Sequence, residues 1–269
     1  MRAQDWFESF FVQGRFAEEL EGVPADQNER EAAFIAEALE LPAGARILDL
    51  CCGVGRHTVP LAVRGYRMSG LDLDAAALEK ARRRADEAGV EVAWHQRDMR
   101  NIPYQGKLDA VLNVGSSWGY YGTDEEDAKV LASVARALKP GGAFLLDVAN
   151  REAIFRGYQT NSWHERRDGT LVLTRRELDL VSSRNRVVEV LIDTDGTRSE
   201  RWHRFRFYSL TELSRMLLEA GLELRRTWGG LDGSPYGLSS PRLVVLARKP
   251  ADEAAVISES QRTAGAGGE

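Results

Sequence analysis

The chain has 269 residues, 43% of them hydrophobic and 29% charged, with a formal net charge of -5; there is ample apolar material for a buried core, and the acidic balance argues against general nucleic-acid binding. No apolar run approaches the roughly 18 residues of a membrane span, and the first residues are too acidic and interrupted for a signal peptide. Cys51 and Cys52 are the only cysteines and are adjacent, hence poor partners for a disulfide, so a cytoplasmic location is expected.

Residues 4–20 carry Trp6, Phe7, Phe10 and Phe11, and the pairs 6/10 and 7/11 lie four apart, which predicts one aromatic helix face. Such a face either packs on the core or closes over a site as a lid. Gly22-Val23-Pro24 breaks this helix, and a second is expected over about 26–41, with Asp26 and Glu29 as a variant capping box. Pro42-Ala43-Gly44 then turns the chain into a strand over 47–50.

That strand carries Asp49 and stops at Cys51-Cys52-Gly53-Val54-Gly55, after which an apolar-periodic segment begins. Strand, tight glycine turn and helix form an arrangement that lets backbone approach a ligand and offers free N–H groups to it, so a nucleotide-like cofactor is expected here. A dinucleotide fingerprint would place a third glycine where Thr58 stands, and no phosphate-loop Gly-Lys-Ser or Gly-Lys-Thr occurs. A second strand over 66–72 ends on Asp72, placed either to accept from both hydroxyls of a ribose or to cap the helix over 75–88, a role open equally to Asp74. A third strand over 90–96 leads into a loop with Asp98 and Met99; alone, an Asp there reads as a turn former.

Residues 108–113 read as a buried fourth strand ending at Asn113, followed by a glycine-rich loop with Trp118, Tyr120 and Tyr121. Open α/β sheets bind ligands at such strand ends, so these aromatics are candidates for an acceptor pocket, the alternative being that they pack beneath the loop. A helix over 123–138, a Pro140-Gly141-Gly142 turn and a fifth strand over 143–148 complete a doubly wound parallel sheet. From residue 151 the rhythm changes to alternating segments near 162–167, 170–180, 186–194 and 198–208, an antiparallel meander. Residues 151–207 hold twelve Arg against nine Asp plus Glu, a local charge of about +3 that solvated strand faces largely explain. A helix over 209–221, capped by Ser209 or Thr211, precedes strands over 222–228 and 243–247 joined by a hairpin that includes Tyr236; residues from 251 on have too little apolar content to fold. The four histidines, His57, His95, His164 and His203, show no metal-ligand spacing, and no metal is expected.

The pattern Asp49-x-Cys51-x-Gly53-x-Gly55 resembles motif I of the class I S-adenosylmethionine-dependent methyltransferases, with Cys51 in place of its first glycine. Asp98-Met99 and Leu138-Lys139-Pro140-Gly141-Gly142 resemble later elements of the same family, in the right order, and the meander resembles an extension found in bacterial small-molecule members. The resemblance implies a seven-stranded Rossmann-like sheet whose last strand enters antiparallel, an inserted antiparallel meander, and S-adenosylmethionine as cofactor, touched by Asp49, Cys51, Gly53, Gly55, Asp72, Leu73, Asp98, Met99 and Asn113. It divides the chain into N-terminal helices or lid (1–44), cofactor-binding core (45–150), insert (151–207), core end (208–249) and tail (250–269). The expected reaction is methyl transfer to a small amine or hydroxyl acceptor, with Trp6, Phe11, Trp118 and Tyr236 as acceptor contacts and Tyr120, Tyr121 and His203 as catalytic candidates. A homo-oligomer paired through the insert is a further expectation. The rivals are an RNA or protein methyltransferase using the arginines of the insert, and a noncatalytic module that senses the cofactor.

Overall fold

The computed structural model describes residues 10–11 and 22–251; Trp6 and the tail from 252 lie outside the described residues. Helix α1 (Ala25–Leu39) buries Ala32, Ile35, Ala38 and Leu39. Its N-cap is Pro24 with no side-chain cap. The expected capping box is absent because the helix starts at Ala25, which puts Asp26 inside the first turn, where it pairs with Arg30 at 2.6 Å.

The core alternates β1 (Arg46–Leu50), α2 (Thr58–Val63), β2 (Arg67–Asp72), α3 (Ala75–Glu87), β3 (Ala93–Gln96), β4 (Leu108–Asn113), α4 (Asp124–Ala137) and β5 (Leu138–Ala149). After the short helix α5 (Arg151–Arg156), the insert β6 (Asn161–Glu165), β7 (Leu171–Asp179), β8 (Arg184–Ile192) and β9 (Arg198–Arg206) leads to α6 (Leu210–Glu219), β10 (Glu223–Trp228) and β11 (Arg242–Arg248). Seven strands form one sheet in the order β10-β11-β5-β4-β1-β2-β3, with β11 antiparallel to both its neighbours. One face buries Leu48, Leu50, Val111, Phe144 and Leu146; the other buries Ile47, Ala110, Leu112, Leu145 and Val244. Covering both faces is what a parallel centre requires. Strand order reverses between β1 and β4, so the crevice at their carboxyl ends is where such a sheet receives ligands.

Three elements depart from expectation, the first being β3, which starts at Ala93 rather than 90. β5 starts at Leu138 rather than 143, because Leu138 already pairs with Leu108 before the register shifts. The chain after β5 folds into α5, whose N-cap Asn150 accepts from the Glu152 N–H; six residues are too few to leave a periodic signal.

The insert forms its own sheet in the order β6-β7-β8-β9. It is tied to the core through charge and backbone. Arg184 donates to the Tyr121 carbonyl (2.9 Å) and pairs with Asp124 (2.7 Å), and Arg206 pairs with Asp124 (2.8 Å). The Gly119 carbonyl accepts from Arg206 N–H at 2.8 Å. Gly119 has φ +90, and a Cβ there would lie 2.6 Å from the Arg206 carbonyl oxygen, so only glycine lets loop and insert approach this closely. Among the described residues no helix is long and apolar enough to cross a membrane.

Candidate active site

The glycine turn is built by conformations that few side chains tolerate. Gly53 and Gly55 have φ of 52 and 76, and Cys51, where the motif has glycine, sits at φ 62. A non-glycine residue in this region costs roughly 1–2 kcal/mol, so the replacement is less mild than size alone suggests. The turn is held by the N–H groups of Cys51 and Cys52, which both donate to the Leu71 carbonyl at 2.7 and 3.1 Å.

Around this turn lies a cavity lined by Asp49, Cys51, Gly53, Asp72, Leu73, Met99, Tyr120, Tyr121 and Phe11, among others. Its carboxylates are fixed. Asp49 is buried and accepts from Thr58 Oγ1 at 2.6 Å; burial raises its pKa against the pull of His57 and Thr58. Asp72 accepts from Gly53 N–H (2.7 Å) and Asp74 N–H (2.9 Å), and burial raises its pKa too. The capping of α3 falls to Asp74, which accepts from the Ala76 N–H. Glu31 of α1 holds two residues that line the cavity, lying 2.7 Å from His57 Nε2 and 3.1 Å from Arg56. Although burial opposes it, hydrogen bonds from His57 and Gln27 and the charge of Arg56 bring its pKa down from 4.5 to about 2.

Three expected cofactor contacts stand back from this cavity. Gly55 packs α2 against α3, where a Cβ would meet Ala81 at 3.2 Å. Asn113 is fully buried and donates from Nδ2 to the Leu50 carbonyl at 2.9 Å, binding β4 to β1. Asp98 is engaged by Arg100, which lies two residues on in the same turn, and by the Tyr121 hydroxyl at 2.7 Å. Arg100 also stacks 4.3 Å over the Tyr121 ring. These partners lower the Asp98 pKa against its burial, while burial and the adjacent Asp98 carboxylate push the Tyr121 hydroxyl far above its ordinary value.

A second cavity opens between the carboxyl ends of β4 and β5 and the inner face of the insert. Its walls include Ser116, Trp118, Tyr120, His203, Phe205 and Tyr158. Tyr120 lines both cavities and forms their common wall. Burial pushes its hydroxyl up to about 12. Phe11 meets the Tyr120 ring at 5.1 Å, while Phe10 meets His203 at 4.6 Å, so the adjacent phenylalanines bridge the two chambers. Trp118 is 3% exposed, and among the described residues neither its Nε1–H nor Ser116 Oγ has a hydrogen-bond partner. Buried polar groups of this kind are normally satisfied, which marks this wall as one that awaits a ligand or water.

The expected aromatic trio therefore divides: Trp118 faces the second cavity, Tyr121 the first, and Tyr120 both. Tyr236 lines neither cavity; the hairpin carries it back over α5, where its hydroxyl donates to Glu152 at 3.2 Å. Two positioning links have no local sequence signal. One is Glu31 with Arg56 and His57. The other is Asp147, 2% exposed, which accepts from Gly115 N–H at 2.9 Å and from Arg242 at 2.8 and 2.6 Å, anchoring the loop after β4 to β11.

Comparison with known proteins adds to this geometry. Residues 47–142 match the family model described as methyltransferase domain. The chain is 27% identical over 213 residues to cypemycin N-terminal methyltransferase of a Streptomyces species, covering 77% of this chain and 84% of that one. The structure of the CcbJ methyltransferase from Streptomyces caelestis superposes with TM-score 0.74 at 21% identity, over 92% of this chain and 98% of that one. S-adenosylmethionine-bound CalS10, an amino pentose methyltransferase from Micromonospora echinaspora, superposes with TM-score 0.66 at 25% identity, over 87% and 94%.

Proposed function

We propose that the chain, whose residues 47–142 match the methyltransferase domain, is a class I S-adenosylmethionine-dependent methyltransferase that methylates a small molecule, at an amine or a hydroxyl, with an amine preferred. The observation that carries this reading is the pair of cavities sharing Tyr120, one around the glycine turn and the other closed by the insert.

The lining of the first cavity has the chemistry the cofactor needs. Asp72 offers carboxylate oxygens to the ribose hydroxyls, Leu73, Ala77 and Met99 offer apolar surface to the adenine, and the carboxylate of Asp49 suits the cationic end. Asp98 acts through Tyr121, which it orients. When bound, the cofactor would supply a sulfonium methyl to the acceptor nitrogen, with the C–S electron pair left on sulfur, and the methylated ammonium would lose its proton to solvent after release. The aromatic faces of Tyr120 and Phe11 tolerate the sulfonium charge at roughly 0.5–2 kcal/mol per well-placed ring. Closure by Phe10, Phe11 and the insert keeps water out and holds donor and acceptor in line.

What favours an amine is the state of the candidate bases. The Tyr120 hydroxyl, pushed up to about 12, is protonated near neutrality, and the Tyr121 hydroxyl donates to Asp98. Neither tyrosine deprotonates an alcohol, which would leave that role to His203 on the wall of the second cavity, whereas a neutral amine needs no base. The N-terminus named for the cypemycin enzyme is an amine nitrogen, and CalS10 is named for an amino pentose. The rival RNA reading loses support because the outer arginines Arg175, Arg186 and Arg198 sit against Glu177 and Glu200. The same outer face exposes Trp163, Leu171, Leu173 and Trp202, which supports pairing with a second copy; a monomer in sedimentation removes that part of the reading.

The test is release of S-adenosylhomocysteine from S-adenosylmethionine with a panel of small amines and alcohols. Turnover with an amine supports the proposal. Tight cofactor binding with no turnover on any acceptor points to a sensing module instead.

A further inference from the structure

The second cavity holds a cation that the proposed chemistry leaves unused. Arg176 of β7 is half-buried on its wall. The other charged groups there are neutralised: Glu189 by Arg201 at 2.6 Å, and Arg206 by Asp124 and Glu212 at 2.8 and 2.7 Å. Arg176 differs. Its Nη1 donates to Ser162 Oγ at 2.8 Å and to the Gln159 carbonyl at 3.4 Å, both neutral, and among the described residues it has no carboxylate partner. Those contacts hold one arm of the guanidinium and leave Nε and Nη2 as a fork, the geometry that grips two oxygens of one anion. Polar neighbours surround it, with the Tyr158 hydroxyl donating to Asn185 at 2.7 Å on the same wall.

The register fixes where this cation stands. Arg176 pairs with Val187, and Val187 with His203, so the three lie in one row across β7, β8 and β9. Two strand spacings separate the outer backbones, about 10 Å. His203 is the end of the row beside Tyr120, at 6.4 Å between rings, and Tyr120 is the wall shared with the first cavity. The cavity is thus aromatic where the methyl arrives and cationic at its far end.

We infer that Arg176 is a specificity residue for an elongated acceptor that carries an anionic group, a phosphate or a carboxylate, at the end remote from the methylated nitrogen. This rests on the methyltransferase reading and adds the substrate class to it. A half-buried guanidinium without a counter-charge is costly, and an acceptor anion completes the pair only when bound.

The experiment measures binding by calorimetry, with S-adenosylhomocysteine saturating, for three probes: 4-aminobutyl phosphate, 5-aminopentanoate and neutral 5-aminopentanol. Wild-type protein should bind at least one anionic probe about ten-fold or more tighter than the alcohol, and whichever binds tighter identifies phosphate or carboxylate. Arg176→Gln should abolish that preference, Arg176→Lys should retain part of it, and Arg175→Gln, on the 63% exposed outer side chain, should leave it intact. Equal binding of anionic and neutral probes by the wild type overturns the inference, as does a preference that survives Arg176→Gln; the wild-type comparison stands even if that variant does not fold. S-adenosylhomocysteine binding itself separates the two levels: its absence removes the methyltransferase reading, whereas its presence without anion preference removes only this inference.

Discussion

The two walls of the molecule's central crevice treat their polar groups in opposite ways. On the core side every carboxylate is committed: Asp49 to Thr58, Asp72 to the backbone of Gly53 and Asp74, Glu31 to His57 and Arg56. Around the second cavity Trp118 Nε1 and Ser116 Oγ, in the loop after β4, have no partner and Arg176 of the insert has no counter-charge among the described residues. A site for an invariant cofactor gains from being rigid before the ligand arrives, because little ordering entropy remains to be lost. The acceptor side instead carries unmet hydrogen-bonding demand, which discriminates strongly between molecules that satisfy it and those that do not.

The largest effect that tests the rigid side is on stability. Glu31 is held at about 2 against 4.5 in the unfolded chain, so folding favours its ionised form; the contribution is full above 4.5 and is lost as pH falls toward 2. It corresponds to roughly 3 kcal/mol. Glu31→Gln should flatten that stretch of the acid stability profile in denaturant titrations, and an unchanged profile would mean that α1 is not fastened to the glycine turn by this group. Next in size, Asp72→Ala should weaken S-adenosylhomocysteine binding by roughly 2–3 kcal/mol, since hydrogen bonds to a charged group contribute about 1.5–3 kcal/mol each and are not additive. Calorimetry with unchanged affinity would remove Asp72 from the cofactor site.

Smaller effects sharpen the division at its boundary. Tyr120→Phe should alter methyl transfer by less than about 1 kcal/mol, because a hydroxyl held near 12 takes no proton at pH 7 to 8. A thousand-fold loss, with a basic limb in the pH profile, would make Tyr120 a base after all. Cys51→Gly should shift stability by no more than about 1 kcal/mol, relief of the left-handed strain being offset by the greater freedom of glycine in the unfolded chain. A destabilisation several times larger in thermal melts would show that the Cys51 contact with Met99, sulfur to sulfur at 3.5 Å, matters more than backbone strain.

The core was legible because its information is local: apolar strands, one carrying Asp49 and others ending in Asp72 and Asn113, and glycines at fixed offsets, specify strand, turn and helix in sequence order. The alternation of the insert was equally plain, and its four strands follow the expected segments closely. What sequence did not reveal depends on tertiary proximity. Nothing near residue 31 announces His57, and nothing near Asp147 announces Arg242, 95 residues away. Asp98 illustrates the same limit: its loop position was readable, but not that Arg100 and Tyr121 would claim its oxygens. Trp118 and Tyr121, three residues apart in one loop, fall on opposite sides of the crevice because the close Gly119 contact with the insert bends the chain between them.

That split provides the most direct test. With an amine acceptor from the panel in hand, Trp118→Phe and Tyr121→Phe each remove one donor group while keeping an aromatic ring, and each variant is measured for S-adenosylhomocysteine affinity and for methyl transfer. One hydrogen bond is worth about 1 kcal/mol, or roughly five- to ten-fold. Trp118→Phe should lower transfer by that factor and leave cofactor affinity within about two-fold, while Tyr121→Phe, by releasing Asp98, should weaken cofactor binding by a similar factor. If both variants lose affinity and transfer in parallel, or neither loses anything, the two cavities do not divide cofactor from acceptor and the account is wrong at its centre.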